Sequence, residues 1–158
     1  MTEKQFIEQI APLIVKAAAE NGYSICSPAI AQACLESRYG ESNLSVKYHN
    51  YFGIKAGTIW NGATVSLPTR EEYTKGEITE IYDAFRVYAD MEESVRDYYD
   101  FLSLPRYQNL KNAKSAIEYS EWIRSDGYAT DHSYVEKVMD IVKKHDLERF
   151  DRTEEERK

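Results

Sequence analysis

Ser27-Pro28-Ala29-Ile30-Ala31-Gln32-Ala33-Cys34-Leu35-Glu36-Ser37-Arg38-Tyr39-Gly40-Glu41-Ser42 is the stretch around which the 158-residue chain is organised. Ser27 followed by Pro28 predicts a helix start. The hydroxyl can cap a free backbone N–H, and proline at the first helical position gives up a donor that had no partner. Gly40 is the expected stop, able to take the left-handed conformation that ends many helices. Between these marks Ala29, Ile30, Ala31, Ala33, Cys34 and Leu35 leave almost no polar face, the pattern of a helix buried on all sides. Glu36 is the exception, in the last turn. There it sits near the negative end of the helix dipole and beside apolar neighbours, and both raise the pKa of a carboxyl group. A carboxyl kept protonated near neutral pH is what a general acid requires. The plain alternative is that Glu36 marks where the helix emerges into water, paired with Arg38; spacing alone leaves both open.

A chain of 158 residues suits one domain with a real core. No apolar run approaches the roughly 20 residues of a membrane span, so no membrane insertion is expected. The net charge of −7 argues against nucleic acid as a partner, because phosphate neutralisation needs basic patches. Tyrosine is abundant, with 13 residues, and flat amphipathic rings suit surfaces that bind sugars or peptides. Cys26 and Cys34 come with no CxxC pair and no histidine cluster, and His49, His132 and His145 are scattered. Neither a metal site nor a cofactor is expected, and both thiols should be reduced.

Along the chain, Thr2 and Gln5 fit a capping box, and Phe6, Ile7, Ile10, Leu13, Ile14 and Ala17 recur at helical spacing up to about Asn21-Gly22. Asn50 to Lys55 reads as a loop with a tight bend at Gly53. Two β-like runs follow, Thr58 to Leu67 and Glu77 to Tyr88, with Pro68 to Gly76 expected as a polar loop between them. Helices resume at Asp90, which with Glu93 forms a second capping box, and again over Ser115–Arg124 and about Asp131–Lys144. The domain is expected to span residues 1–147, and residues 148–158 to form a charged tail or the start of a linker.

Four stretches carry a family likeness: Ser27 to Ser42, Asn50 to Lys55, Phe85-Arg86-Val87-Tyr88 with Glu93-Ser94, and Gly127-Tyr128-Ala129-Thr130-Asp131. In this order they resemble the peptidoglycan-hydrolysing glucosaminidases of glycoside hydrolase family 73, which include flagellar, autolysin and phage endolysin domains. The resemblance covers roughly residues 5 to 146. It implies an α+β, mostly helical, lysozyme-like fold with a small antiparallel β lobe flanking the active-site cleft. It also implies cleavage of the β-1,4 bond between N-acetylglucosamine and N-acetylmuramic acid, with Glu36 matching the catalytic acid.

A second glutamate in the β lobe belongs to the family pattern. Glu72 is preferred, because Tyr73 and Gly76 keep their offsets from it, although Thr69 would favour Glu71. Neighbours on a strand face opposite sides, so at most one of the two can point into the cleft. The resemblance implies a catalytic role for Tyr128, in hydrogen bonding the N-acetyl group or positioning water. Tyr39, Asn50, Tyr51 and Phe52 are candidate substrate-binding residues. Thr130 and Asp131 are expected to cap the last helix. His132 stands where the family often has proline, and is expected to alter only the start of that helix.

The expected partner is bacterial cell-wall peptidoglycan, and the expected state a monomer. A muramidase or lytic transglycosylase of the same fold, or a glycan-binding module without turnover, are the rival functions. No basic segment followed by an apolar one opens the chain. A phage or prophage lysin released through a holin, or another non-standard export route to the wall, is therefore expected.

Overall fold

The computed structural model describes residues 1–152. It opens with α1 (Glu3–Glu20) and α2 (Ser27–Ser37). The Thr2 hydroxyl accepts the Gln5 amide at 3.1 Å and the Gln5 side chain accepts the Thr2 amide at 2.8 Å, so the capping box forms as the sequence predicts. The six apolar residues from Phe6 to Ala17 set α1 against α2, with Phe6, Ile10 and Ile14 fully buried.

α2 runs through the middle of the molecule, in contact with α1 and with three elements from the C-terminal half. Ala29, Ile30, Ala31, Ala33 and Cys34 are all fully buried, and the small alanines let neighbouring helices approach on every side. The polar side chain among these residues, Gln32, has a partner for each of its amide groups. Its amide nitrogen donates to the Tyr134 hydroxyl at 3.0 Å and its oxygen accepts from Tyr98 at 2.5 Å. Both cysteines are buried and free.

The two ends of α2 differ from expectation. Ser27 does not cap its own helix. Asp151 does so from the far end of the chain: one carboxylate oxygen accepts the amides of Cys26 and Ser27, both at 2.7 Å, and the other accepts the Ser27 hydroxyl at 2.6 Å. The helix stops at Ser37, before Gly40, through three successive left-handed residues, Arg38, Tyr39 and Gly40. Glycine is required at the third, because a Cβ there would lie 2.8 Å from the Phe6 ring.

A short helix, α3 (Asn43–Tyr48), follows. Ser42 caps it by accepting the Ser45 amide at 3.2 Å, but the exposed Val46 leaves it without an apolar stripe to read. The sheet is one antiparallel hairpin of β1 (Thr64–Thr74) and β2 (Glu77–Arg86). The stretch expected as a polar loop is therefore mostly strand, turned at Lys75-Gly76. In a two-stranded sheet each strand is an edge, where proline and charged residues are tolerated, so Pro68 and the charged run after it do not interrupt pairing.

α4 (Met91–Phe101), α5 (Ala116–Ser125) and α6 (Tyr134–Lys144) complete the helical lobe, with a 3-10 segment over Pro105–Asn112. Asp90 caps α4 by accepting the Glu93 amide at 2.8 Å, and Ser115 caps α5 through the Glu118 amide at 3.2 Å. The tail expected from residue 148 folds back as far as Arg152. Leu147 opens a 3-10 turn and is fully buried, and the Arg152 amide donates to the Ser24 carbonyl at 3.0 Å. Residues 153–158 of that expected tail lie outside the described residues. The architecture is the mostly helical α+β arrangement with a small β lobe read from the sequence. No helix among the described residues is long and apolar enough to cross a membrane.

Candidate active site

The base of the hairpin is fastened to the helical lobe by two buried polar groups. Arg86 pairs with Asp97 at 2.9 Å and donates to the Lys55 carbonyl at 3.0 Å, with its guanidinium over the rings of Trp60 and Phe101. Asn50 donates to the carbonyls of Ile54 and Arg86, both at 2.9 Å, and accepts the Ile54 amide at 3.1 Å. This closes the loop from Asn50 to Lys55 against the sheet. It also brings Gly53 beside the last turn of α2.

Between the lobes lies a cleft of about 850 Å³, with Glu36 in its wall. Gly53 leaves room for this carboxyl group: a Cβ on it would lie 3.4 Å from both the Glu36 carboxyl carbon and Oε2. Glu36 is partly exposed to the cleft but enclosed on its other sides. Burial pushes its pKa up to about 7, and the negative charges of Glu71 and Asp131 add to the rise. Lys55 and Lys137 act in the opposite direction without cancelling it.

Strand alternation points Val65, Leu67, Thr69 and Glu71 toward the helical lobe. Glu71, only 8% exposed, is therefore the β-lobe carboxylate that lines the cleft. One of its oxygens is paired with the Lys55 ammonium, and the other accepts the Thr130 hydroxyl at 2.5 Å. Lys55 also reaches Asp83 at 3.1 Å. Burial works to lower the Lys55 pKa, but its two carboxylate partners outweigh that and raise it, so it stays a cation.

Glu72, the residue preferred from the sequence, lies on the other side of the strand from Glu71. Glu72 points to the other face and out of the cleft. Its Oε1 accepts the His132 amide at 2.7 Å and lies 3.0 Å from His132 Nδ1, while its Oε2 accepts the Gly76 amide at 2.8 Å. These hydrogen bonds, those from the His132 and Gly76 backbone first, lower its pKa to about 2. His132 therefore does more than alter a helix start. Thr130 likewise sits in the cleft wall rather than capping α6, whose cap position is held by Ser133.

The remaining candidates divide. Tyr128 lines the cleft, and its hydroxyl donates to the Phe52 carbonyl at 2.7 Å, leaving the oxygen lone pairs available. Tyr39, Asn50, Tyr51 and Phe52 do not line it. Tyr39 bonds His145 at 3.1 Å and packs edge-on against Phe6. Tyr51 packs on Phe6, and the fully buried Phe52 stacks on Tyr98 with ring centroids 4.3 Å apart. Asn50 and Phe52 support the cleft wall from behind, through Ile54 and Tyr128. Sequence reasoning missed Lys55, Lys137, Arg106 and Tyr107, which do line the cleft. The signal for Lys55 was its place at the end of the Asn50–Lys55 stretch. No group of three or more His, Cys, Asp or Glu among the described residues is arranged to hold a metal ion.

Comparison with known proteins places this geometry. The family described as mannosyl-glycoprotein endo-beta-N-acetylglucosaminidase matches residues 11–147. The chain is 37% identical over 145 residues to the peptidoglycan hydrolase FlgJ of Pseudomonas aeruginosa, covering 88% of this chain and 36% of that protein. It is 34% identical over 138 residues to the exo-glucosaminidase LytG of Bacillus subtilis, covering 84% of this chain and 48% of the relative. The chain thus spans less than half the length of either. Among solved structures, a peptidoglycan hydrolase mutant from Sphingomonas sp. A1 superposes with a TM-score of 0.80 at 29% identity, covering 94% of this chain and 97% of that one. On sequence and architecture together, this chain belongs to the glucosaminidase family of glycoside hydrolases.

Proposed function

We propose that the protein hydrolyses the glycan strands of bacterial peptidoglycan at the β-1,4 bond on the reducing side of N-acetylglucosamine. The observation that carries this reading is the pairing of unlike carboxyl groups in one cleft. Glu36 is enclosed at the end of α2, where burial raises its pKa to about 7, while Glu71 is paired with the Lys55 ammonium and the Thr130 hydroxyl.

In this mechanism Glu36 gives its proton to the glycosidic oxygen as the bond from that oxygen to C1 breaks. Glu71 takes a proton from the attacking water, whose hydroxyl joins C1, and the two carboxyl groups then exchange their proton balance through solvent. The free lone pairs of the Tyr128 hydroxyl suit the N–H of a sugar acetamido group. Aromatic rings of Tyr107, Tyr128 and Tyr134 supply flat apolar surface for sugar rings. A catalytic β-lobe carboxylate also weighs against a lytic transglycosylase, which needs no base to activate water. Peptidoglycan as substrate places the site of action at the cell wall.

The test is mass spectrometry of borohydride-reduced products from purified peptidoglycan, digested by wild type and by Glu36→Gln. Reduced N-acetylglucosamine ends made by wild type alone are expected. Reduced muramic ends would make the protein a muramidase, and anhydro ends a transglycosylase. Retained binding with no products from wild type would make it a glycan-binding module.

A further inference from the structure

Although the chain carries a net charge of −7, five cationic side chains line its cleft. Four of them face a carboxylate of the protein itself. Lys55 is paired with Glu71 and with Asp83, Arg86 with Asp97 at 2.9 Å, and Lys137 with Asp131 at 2.5 Å. Arg70 lies opposite Glu80 in the hairpin register. The fifth, Arg106, is exposed in the wall of the helical lobe and has neither an ion pair nor a side-chain hydrogen bond among the described residues. Asp126 feels its charge without pairing to it. One Asp126 oxygen accepts from Asn109 at 3.4 Å, the other is buried without a partner, and burial raises the pKa of the group against the pull of Arg106.

The guanidinium is nevertheless held in place. Its central carbon lies 4.8 Å from the centre of the Tyr107 ring, and that ring packs 6.3 Å from the ring of Tyr128. Gly127 makes room for it: a Cβ there would lie 3.2 Å from Arg106 Nη1, and the backbone has φ +105°, a conformation that favours glycine. Gly53 gives the same kind of clearance to Glu36. Arg106 thus follows Tyr128 along one wall, as a positioned cation whose donors are free to meet a ligand.

A guanidinium fork matches a carboxylate with two parallel hydrogen bonds, a geometry that a neutral sugar hydroxyl does not offer. N-acetylmuramic acid differs from N-acetylglucosamine by a lactyl ether ending in a carboxyl group, either free or joined to a peptide that bears carboxylates of its own. We propose that Arg106 is a specificity-determining residue that binds a carboxylate carried by N-acetylmuramic acid, on its lactyl group or its stem peptide. In a protein of net negative charge, this contact also offsets the repulsion of an anionic strand. The proposal rests on the peptidoglycan reading above and adds to it the part of the substrate that is read.

The experiment measures kcat/KM on soluble glycan strands in four forms: with stem peptides, stripped of peptide to the free lactyl carboxylate, and each of these with its carboxylates converted to amides. Wild type is expected to lose about fivefold or more on amidation of the pair that carries the contact. In Arg106→Gln the advantage of carboxylate over amide should shrink to less than about twofold, with Arg106→Lys, which keeps the charge but not the fork, in between. Each variant is compared with itself on two substrates, so any loss of folded protein cancels. Loss of the advantage in the stripped pair assigns the lactyl carboxylate, and loss confined to the peptide-bearing pair assigns the stem.

Equal kcat/KM of wild type on carboxylate and amide forms in both pairs, or an advantage retained in Arg106→Gln, would overturn the assignment. Equilibrium binding of the same strands to Glu36→Gln, with and without Arg106→Gln, reads the preference without turnover. If wild type releases no fragments but carboxylate strands bind more tightly through Arg106, the hydrolase reading falls and the carboxylate contact stands. If wild type cleaves with no such preference, only the contact falls.

Discussion

Gly53 faces Glu36 across the cleft wall: the position a Cβ would take on Gly53 lies 3.4 Å from the carboxyl carbon of Glu36. Gly53 also has φ +66°, a conformation that costs an alanine about 1–2 kcal/mol. Gly53→Ala should therefore lose stability by about that amount and crowd the acid. The expected result is a lower kcat together with a lower midpoint of thermal unfolding. Wild-type kcat in this variant would show that the contact has no bearing on the chemistry.

With Glu36 as the proposed acid, its pKa sets one limb of the pH–rate profile. A general acid must be protonated, so kcat/KM on glycan should fall as pH rises through about 7. A profile flat to pH 9 would mean that another group delivers the proton.

The same shift bears on stability. Glu36 holds its proton more tightly when folded, so folding stability declines as pH rises from about 4.5 to about 7 and the penalty is then complete. The size is at most roughly 3 kcal/mol, at about 1.4 kcal/mol per unit. Glu36→Gln carries no such penalty. Urea unfolding should show it gaining on wild type between pH 5 and pH 8; an equal difference at both would contradict the buried-acid picture.

Lys55 opposes the rise at Glu36 and holds Glu71 in place. Lys55→Met should push the alkaline limb of the rate profile above that of wild type. It should also lower kcat on the order of tenfold, as general-base assistance weakens. A limb moving to lower pH would show that the lysine acts on some other group.

Asp151 replaces the missing cap of α2 with three hydrogen bonds to a carboxylate. Asp151→Ala should cost about 2 kcal/mol in urea unfolding, and Asp151→Asn less, because one acceptor remains. A change under about 0.5 kcal/mol for the alanine variant would mean that water caps the helix equally well.

Much of this fold could be read from the chain because its helices carry their own boundaries. Thr2, Asp90 and Ser115 each cap a helix whose apolar residues repeat at 3.6. Glu36 was legible for a related reason: a lone carboxyl at the end of an apolar helix has few places to go. The hairpin was misread because edge strands tolerate residues that usually mark loops, as Pro68 does. The sequence leaves the choice between Glu71 and Glu72 to strand register, since a slip of one residue moves a side chain to the opposite face. Asn50 and Phe52 lie in a recognisable stretch, but their side chains hold the backbone rather than face the cleft. The cap on α2 was invisible because Asp151 lies 124 positions from its partner Ser27.

That distant cap also fixes a direction. Asp151 pins the end of the described chain to the start of α2, and Glu36 lies nine residues further along the same helix. At 1.5 Å per residue the two points are about 14 Å apart along its axis. A solid support, dye or fusion partner joined after Arg152 would attach at the opposite end of the helix from the acid. The domain can thus be immobilised by its C-terminal side with the mouth of the groove left facing the solution.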